Sequence, residues 1–153
     1  MQFAQLKRRE FIAALGGAVA WPIAARGQQL KPLRRVGVLM HTSAGEPETE
    51  ARLAAFLQGL QEAGWSVGRN VQVETRWSTG DLGRLSKDAT QLVETRPDVV
   101  LAGVGATTAA LAEATQTIPI VFAQGIDPVG AGYIDSVARP GGNVTGFSNS
   151  TTA

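Results

Sequence analysis

From Arg35 onward the chain alternates short apolar runs with stretches of helical period. The first run, Val36-Gly37-Val38-Leu39-Met40, is apolar without alternation, the pattern of a strand buried on both faces of a parallel sheet. Between Glu48 and Ala63, Leu53, Phe56, Leu57 and Leu60 fall at helical spacing, with Glu50, Arg52, Gln58, Gln61 and Glu62 elsewhere. This predicts an amphipathic helix that ends at Gly64 and turns Phe56 and its leucines into core. Asn70 to Trp77 alternates Val71 and Val73 with Gln72 and Glu74, as a strand nearer the edge of a sheet does. Helical spacing returns from Asp81 to Arg96 through Leu82, Leu85, Ala89, Leu92 and Val93, and Pro97 stops it.

The alternation continues to the end of the chain. Asp98 to Ala102 reads as a second buried strand, and Gly105-Ala106-Thr107-Thr108 opens an Ala-rich helix running to about Gln116. Ile118 to Phe122 is the next strand, with Pro119 placed in its first residues because proline cannot donate to a ladder. A short helix is expected from Gly130 to Ala138, after which Arg139-Pro140-Gly141-Gly142 turns into a last strand, Asn143 to Phe147. Five strands separated by four helices imply right-handed crossovers and an α/β fold with a doubly wound, five-stranded parallel sheet.

Composition narrows the chemistry. The 153 residues include no Cys and one His, so disulfides, thiolate metal sites and multi-histidine zinc sites are excluded, and no metal site is expected. A net charge of +1 gives no basic field for nucleic acid. Even that charge is unevenly placed: residues 1–27 hold four of the 14 basic side chains and one of the 13 acidic ones, leaving ten against twelve in the remainder. Lys7-Arg8-Arg9-Glu10-Phe11-Ile12, the apolar run Ala13 to Trp21 and the small residues Ala24-Ala25-Arg26-Gly27 have the order of an export signal peptide. The run is too short to span a bilayer, and the paired arginines resemble a twin-arginine signal. The expected product is a periplasmic chain beginning at Gln28, free of the membrane.

In an open doubly wound sheet a ligand sits beyond the carboxyl ends of the strands at the topological switch point. The first strand delivers His41, Thr42 and Ser43 there; the third delivers Gly103, Val104, Gly105, Ala106, Thr107 and Thr108; the fourth delivers Gln124 to Pro128, with Asp127 among them. Gly103 and Gly105 permit close backbone approach, and the helix N-terminus after them suits a carboxylate. Thr107 and Thr108 fit a ligand contact or simple helix capping. Asp127 fits an amino-group contact or a turn, and His41 a ligand contact or a polar loop position. Trp65 and Trp77 are read as packing residues. The chain holds no G-x-G-x-x-G fingerprint, phosphate loop or G-x-S-x-G elbow, so no catalytic residue is assigned and a binding function is expected over an enzymatic one.

The leader, the Ile118-Pro119-Ile120-Val121-Phe122 strand with Asp127-Pro128, and above all Arg139-Pro140-Gly141-Gly142-Asn143-Val144-Thr145-Gly146 resemble one family. It is the ABC-transporter substrate-binding family of type I periplasmic-binding fold. The resemblance implies a Rossmann-like first lobe over residues 28–153, a second lobe of similar size that this chain lacks, and capture of a small organic molecule such as an amino acid between lobes. It further implies delivery to a membrane permease, with no cofactor. Site residues carried over are His41, Thr42 and Ser43, Gly105 to Thr108, and Asp127. A receptor lobe of the same fold and a flavodoxin-like nucleotide-binding domain or enzyme are the alternatives.

Overall fold

The computed structural model describes residues 33–125, 129–136 and 139–148; the export leader expected on residues 1–27 and Asp127 lie outside the described residues. Strands β1 (Arg34–Met40), β2 (Val71–Trp77), β3 (Val99–Ala102), β4 (Ile120–Gly125) and β5 (Val144–Ser148) alternate with helices α1 (Pro47–Glu62), α2 (Leu82–Glu94) and α3 (Gly105–Ala114). The strands form one sheet in the order β2-β1-β3-β4-β5, and every pairing is parallel. The alternating strand β2 is at an edge, as its half-polar pattern requires.

Local chemistry sets the boundaries. Asp81 caps α2, its Oδ1 accepting from the amides of Gly83 and Arg84 at 2.8 and 3.1 Å. Helix α3 stops two residues short of Gln116 because Thr115 turns extended and its hydroxyl accepts from the amides of Thr117 and Ile118. Pro119 precedes β4, where its carbonyl accepts from Val100 N at 2.9 Å and its missing N–H costs nothing.

The helix expected over Gly130–Ala138 is not present among the described residues. Val129 to Gly132 forms a turn closed by Gly132 N on Val129 O, with Gly132 in the left-handed region at φ +75. Asp135 and Ser136 then donate their amides to the carbonyls of Pro140 and Arg139, folding the segment back on itself. Two glycines within three residues weaken a helix here, and only Ile134 is buried.

The string from Arg139 to Gly146 brings the chain into β5. Gly141 has φ +78, and a Cβ there would run into the Asp135 carboxylate. A Cβ at Gly146 would run into the carbonyl and ring of Phe122 on β4. Asn143 donates its amide group to the carbonyls of Thr115 and Ile118 at 3.1 and 2.8 Å, while its own carbonyl accepts from Ile120 N at 2.7 Å. The string is therefore built for strand closure.

The sheet has two unequal faces. On one, α2 and α3 cover Leu39, Val100, Ala102, Ile120 and Phe122, which are almost fully buried with Leu92 and Leu111. Gly37 lets α2 settle, since a Cβ there would lie 3.1 Å from the Leu92 side chain. On the other face Val36, Val38, Met40 and Val71 form a smaller cluster with Leu53 and Phe56 of α1, Trp77, Val99 and Leu101. Helix α1 packs on this cluster through Leu53 and Phe56, and towards β4 and β5 a cavity separates it from the sheet. Leu101 and Val121 are half-buried, Ala123 is exposed, and Phe147 is 74% exposed. The expectation that Phe56 and the α1 leucines are core is corrected accordingly: all are half-buried, and Thr49 is the buried residue of that helix.

At the opposite end of the strands, Asp98 ties β3 to the start of β1. Its carboxylate accepts from Arg35 N at 2.7 Å and from the Arg34 guanidinium at 2.9 Å, and its own amide donates to Arg35 O at 2.8 Å. The Arg35 backbone bond, followed by the Arg34 side-chain bond, holds the Asp98 pKa below its ordinary value. A carboxylate with a depressed folded-state pKa contributes stability above its unfolded pKa and loses it as pH falls through the folded one. Because the pair is exposed, the effect is small. Asp98→Asn is expected to flatten the acid limb of a pH-stability curve, read by thermal unfolding between pH 7 and pH 2. Phe147→Ser is expected to reduce self-association in light scattering while changing stability by less than about 0.5 kcal/mol, since exposed apolar patches drive association and exposed side chains carry little folding energy.

Candidate functional site

Strands β1 and β3 are neighbours, yet the chain leaving β1 enters α1 on one face and the chain leaving β3 enters α3 on the other. This divergence opens a crevice at their carboxyl ends. Gly103 makes the approach possible: its amide donates to Leu39 O at 3.2 Å, and a Cβ there would sit 3.0 Å from the Met40 sulfur. A cavity of about 400 Å³ begins here, between His41, Gly103 and Val104, and continues under Thr49, Arg52 and Phe56 of α1. Its floor is the bare sheet face, so its lining is mostly apolar.

Of the residues expected to bind ligand, His41 lines this cavity; Thr42 and Ser43 follow it in the loop after β1, and Gly105, Ala106, Thr107 and Thr108 form the first turn of α3, directly after the lining residues Gly103 and Val104. Asp127 lies outside the described residues. The loop after β1 is tied down: Thr42 Oγ1 donates to Thr49 Oγ1 at 3.1 Å, and the amides of Ser43 and Gly45 donate to the carboxylates of Glu46 and Glu50. Those two amides are consumed within the loop. Its partner strand holds it from the other side, where Ser78 N donates to Met40 O at 3.0 Å and Gly80 N to His41 O at 2.6 Å.

The loop after β3 is organised differently. Thr107 and Thr108 are buried, and both hydroxyls donate to Val104 O, at 2.6 and 3.1 Å; Thr107 Oγ1 also accepts from Val104 N at 3.0 Å. The threonines thus fold the loop onto the helix start and present no free hydroxyl outward. Thr108 N bonds Val104 O, which leaves the amides of Gly105, Ala106 and Thr107 with no acceptor among the described residues. Three free donors at the positive end of a helix are a seat for an anion. A Cβ on Gly105 would meet nothing within 4 Å, so no described protein atom requires glycine there.

Met40, Thr49, Arg52 and Phe56 line the cavity but were not marked by the sequence as site residues. Their apolar or helical spacing carries a core signature, and only the position of α1 over the sheet shows that they face a void. Trp77 packs beside the β1 cluster, whereas Trp65 is 38% exposed.

A switch-point crevice and an all-parallel sheet of the order β2-β1-β3-β4-β5 define a doubly wound α/β lobe with room for a ligand at the carboxyl ends of its strands. A family model for ABC transporter substrate-binding proteins matches residues 36–153. The chain belongs to that family. It is similar to a tyrosine-binding protein of Clostridioides difficile (strain R20291), 29% identical over 103 residues, covering 67% of this chain and 30% of that protein. Among solved structures it resembles an ABC domain of Streptococcus pneumoniae in complex with L-Trp, 31% identical with a TM-score of 0.70, covering 76% of this chain and 38% of the other. A conserved domain protein of Vibrio cholerae matches at 35% identity and a TM-score of 0.70, over 75% and 38% of the two chains. The chain therefore spans between 30% and 38% of the length of these relatives.

Gly105→Val is expected to change stability by less than about 0.5 kcal/mol, because the added side chain enters open space. It is also expected to weaken binding of a carboxylate ligand at least tenfold by occupying the approach to the three amides. Thermal unfolding and calorimetric titration of a protein carrying both lobes check the two halves.

Proposed function

We propose that this chain is the first lobe of an extracytoplasmic substrate-binding protein that captures an amino acid and delivers it to the permease of an ABC transporter. The observation that carries the reading is the set of three amides at the start of α3 with no acceptor among the described residues, next in the chain to Gly103 and Val104 on the lining of an apolar cavity. Such a pair suits a molecule with a carboxylate at one end and an apolar or aromatic body at the other. The names of two relatives, one binding tyrosine and one solved with L-Trp, agree with that chemistry. Residues 1–27 would direct export by the twin-arginine route, with maturation at Gln28, and a second lobe of similar size would close over the ligand. Asp127, on the loop after β4, would meet the ammonium group, and His41 would face the ligand across the crevice from Gly105.

A single lobe offers half of such a site. Calorimetric titration with L-tryptophan, L-tyrosine, their D-isomers and a nucleotide, on residues 28–153 and on a two-lobe protein, tests the reading. Saturable, L-selective binding by the two-lobe protein and at least tenfold weaker binding by the single lobe are expected. Tight binding of the nucleotide by the single lobe would instead support a nucleotide-binding domain.

A further inference from the structure

The tightest backbone bond beside the crevice comes from a turn that no ligand-binding expectation included. Residues Ser78 to Asp81 leave β2 and form a four-residue turn closed by Asp81 N on Ser78 O at 3.3 Å. Its two central residues, Thr79 and Gly80, have φ of +53 and +79. Positive φ at both centres is the pattern of a type I′ turn, whose preferred residues are Gly, Asn and Asp. A β-branched residue in the left-handed region is an outlier.

The rest of the turn is fixed from below. Ser78 is fully buried, and its hydroxyl donates to Asp88 Oδ2 at 2.8 Å; Arg84 pairs with the same oxygen at 3.6 Å. Asp81 is committed to the cap of α2. With both ends anchored, the turn reaches β1 and its loop through two backbone bonds, Ser78 N to Met40 O at 3.0 Å, which continues the β1–β2 ladder, and Gly80 N to His41 O at 2.6 Å. His41 is the first residue of the candidate ligand loop. Strain in a segment that neighbouring structure over-determines is a pointer to function when it lies beside a site.

We propose that the Ser78–Asp81 turn is a positioning element of the binding site, in which Thr79 is held in an unfavourable conformation so that Gly80 fixes the carbonyl of His41 and with it the path of Thr42 and Ser43. The proposal that a ligand benefits rests on the binding function proposed above; the mechanical coupling of the two loops does not.

Thr79→Gly keeps the turn and removes its strain, whereas Thr79→Pro forbids the positive φ. Backbone order parameters from NMR relaxation of the full chain test the coupling without ligand. For Thr79→Gly, Thr42 and Ser43 are expected to stay near about 0.85, with a raised unfolding midpoint; for Thr79→Pro they are expected to fall below about 0.6. Ser78→Ala, which releases the anchor at Asp88 and leaves the backbone free to keep its turn, is expected to lower them part of the way. Unchanged order parameters at Thr42 and Ser43 in both Thr79→Pro and Ser78→Ala would overturn the coupling, as would a lowered midpoint in Thr79→Gly overturn the assignment of strain.

The ligand arm uses L-tryptophan and L-tyrosine on the two-lobe protein. Thr79→Pro is expected to lose at least tenfold in affinity while Thr79→Gly stays within about twofold, measured well below the unfolding midpoint of each variant so that all are fully folded. Equal affinity in wild type and Thr79→Pro would overturn the positioning role. No binding by wild type would refute the amino-acid reading alone, because the order parameters decide the coupling independently.

Discussion

The pairing of β1 with β3 is the constraint on which the rest of this lobe depends. Side by side and parallel, these strands must send the chain in opposite directions at their carboxyl ends, because one crossover returns to β2 and the other advances to β4. No other neighbouring pair in the sheet diverges in this way. The Asp98 bonds to Arg34 and Arg35 pin the pair at its far end, and Gly103 allows it to stay close at the near end. The crevice is thus a topological product, and the residues around it only decide what it holds.

The two loops at the mouth use their polar groups in opposite ways. After β1, carboxylates of Glu46 and Glu50 occupy the loop amides, and the Thr42–Thr49 bond joins the loop to α1. After β3, the threonine hydroxyls turn inward and the amides remain open. The second segment therefore keeps donors that the first has already committed. The looser packing of α1 adds the apolar half of the candidate site, since a cavity remains between Phe56 and the β4 and β5 side of the sheet.

Most of the fold was legible in the sequence because each strand carries an unbroken or alternating apolar pattern and each break is marked by Gly or Pro. The five strands and three of the four expected helices follow from that punctuation. The segment after β4 was misread, since Ile134 and its neighbours have some helical spacing while Gly130 and Gly132 oppose it. The loops of the site were legible through topology, but not the roles within them. Whether Thr107 and Thr108 turn inward depends on Val104 offering its carbonyl to both, a three- and four-residue offset that suits capping and ligand contact alike. The cavity was not legible at all, because Met40, Thr49 and Phe56 have core-like spacing and acquire a free side only through tertiary placement. The strained turn at Thr79 had a single visible clue, the Thr-Gly pair between a strand and a capping aspartate.

The string from Arg139 to Gly146, the most distinctive stretch of the chain, touches none of this. Its glycines clear Asp135 and Phe122, and its asparagine stitches β5 to the α3–β4 connection. It is a clasp that lets the fifth strand dock. A protein can therefore keep every letter of the clasp while exchanging the segments at the carboxyl ends of its strands. Kinship detected through such a clasp reports a shared architecture and says nothing of what those segments hold.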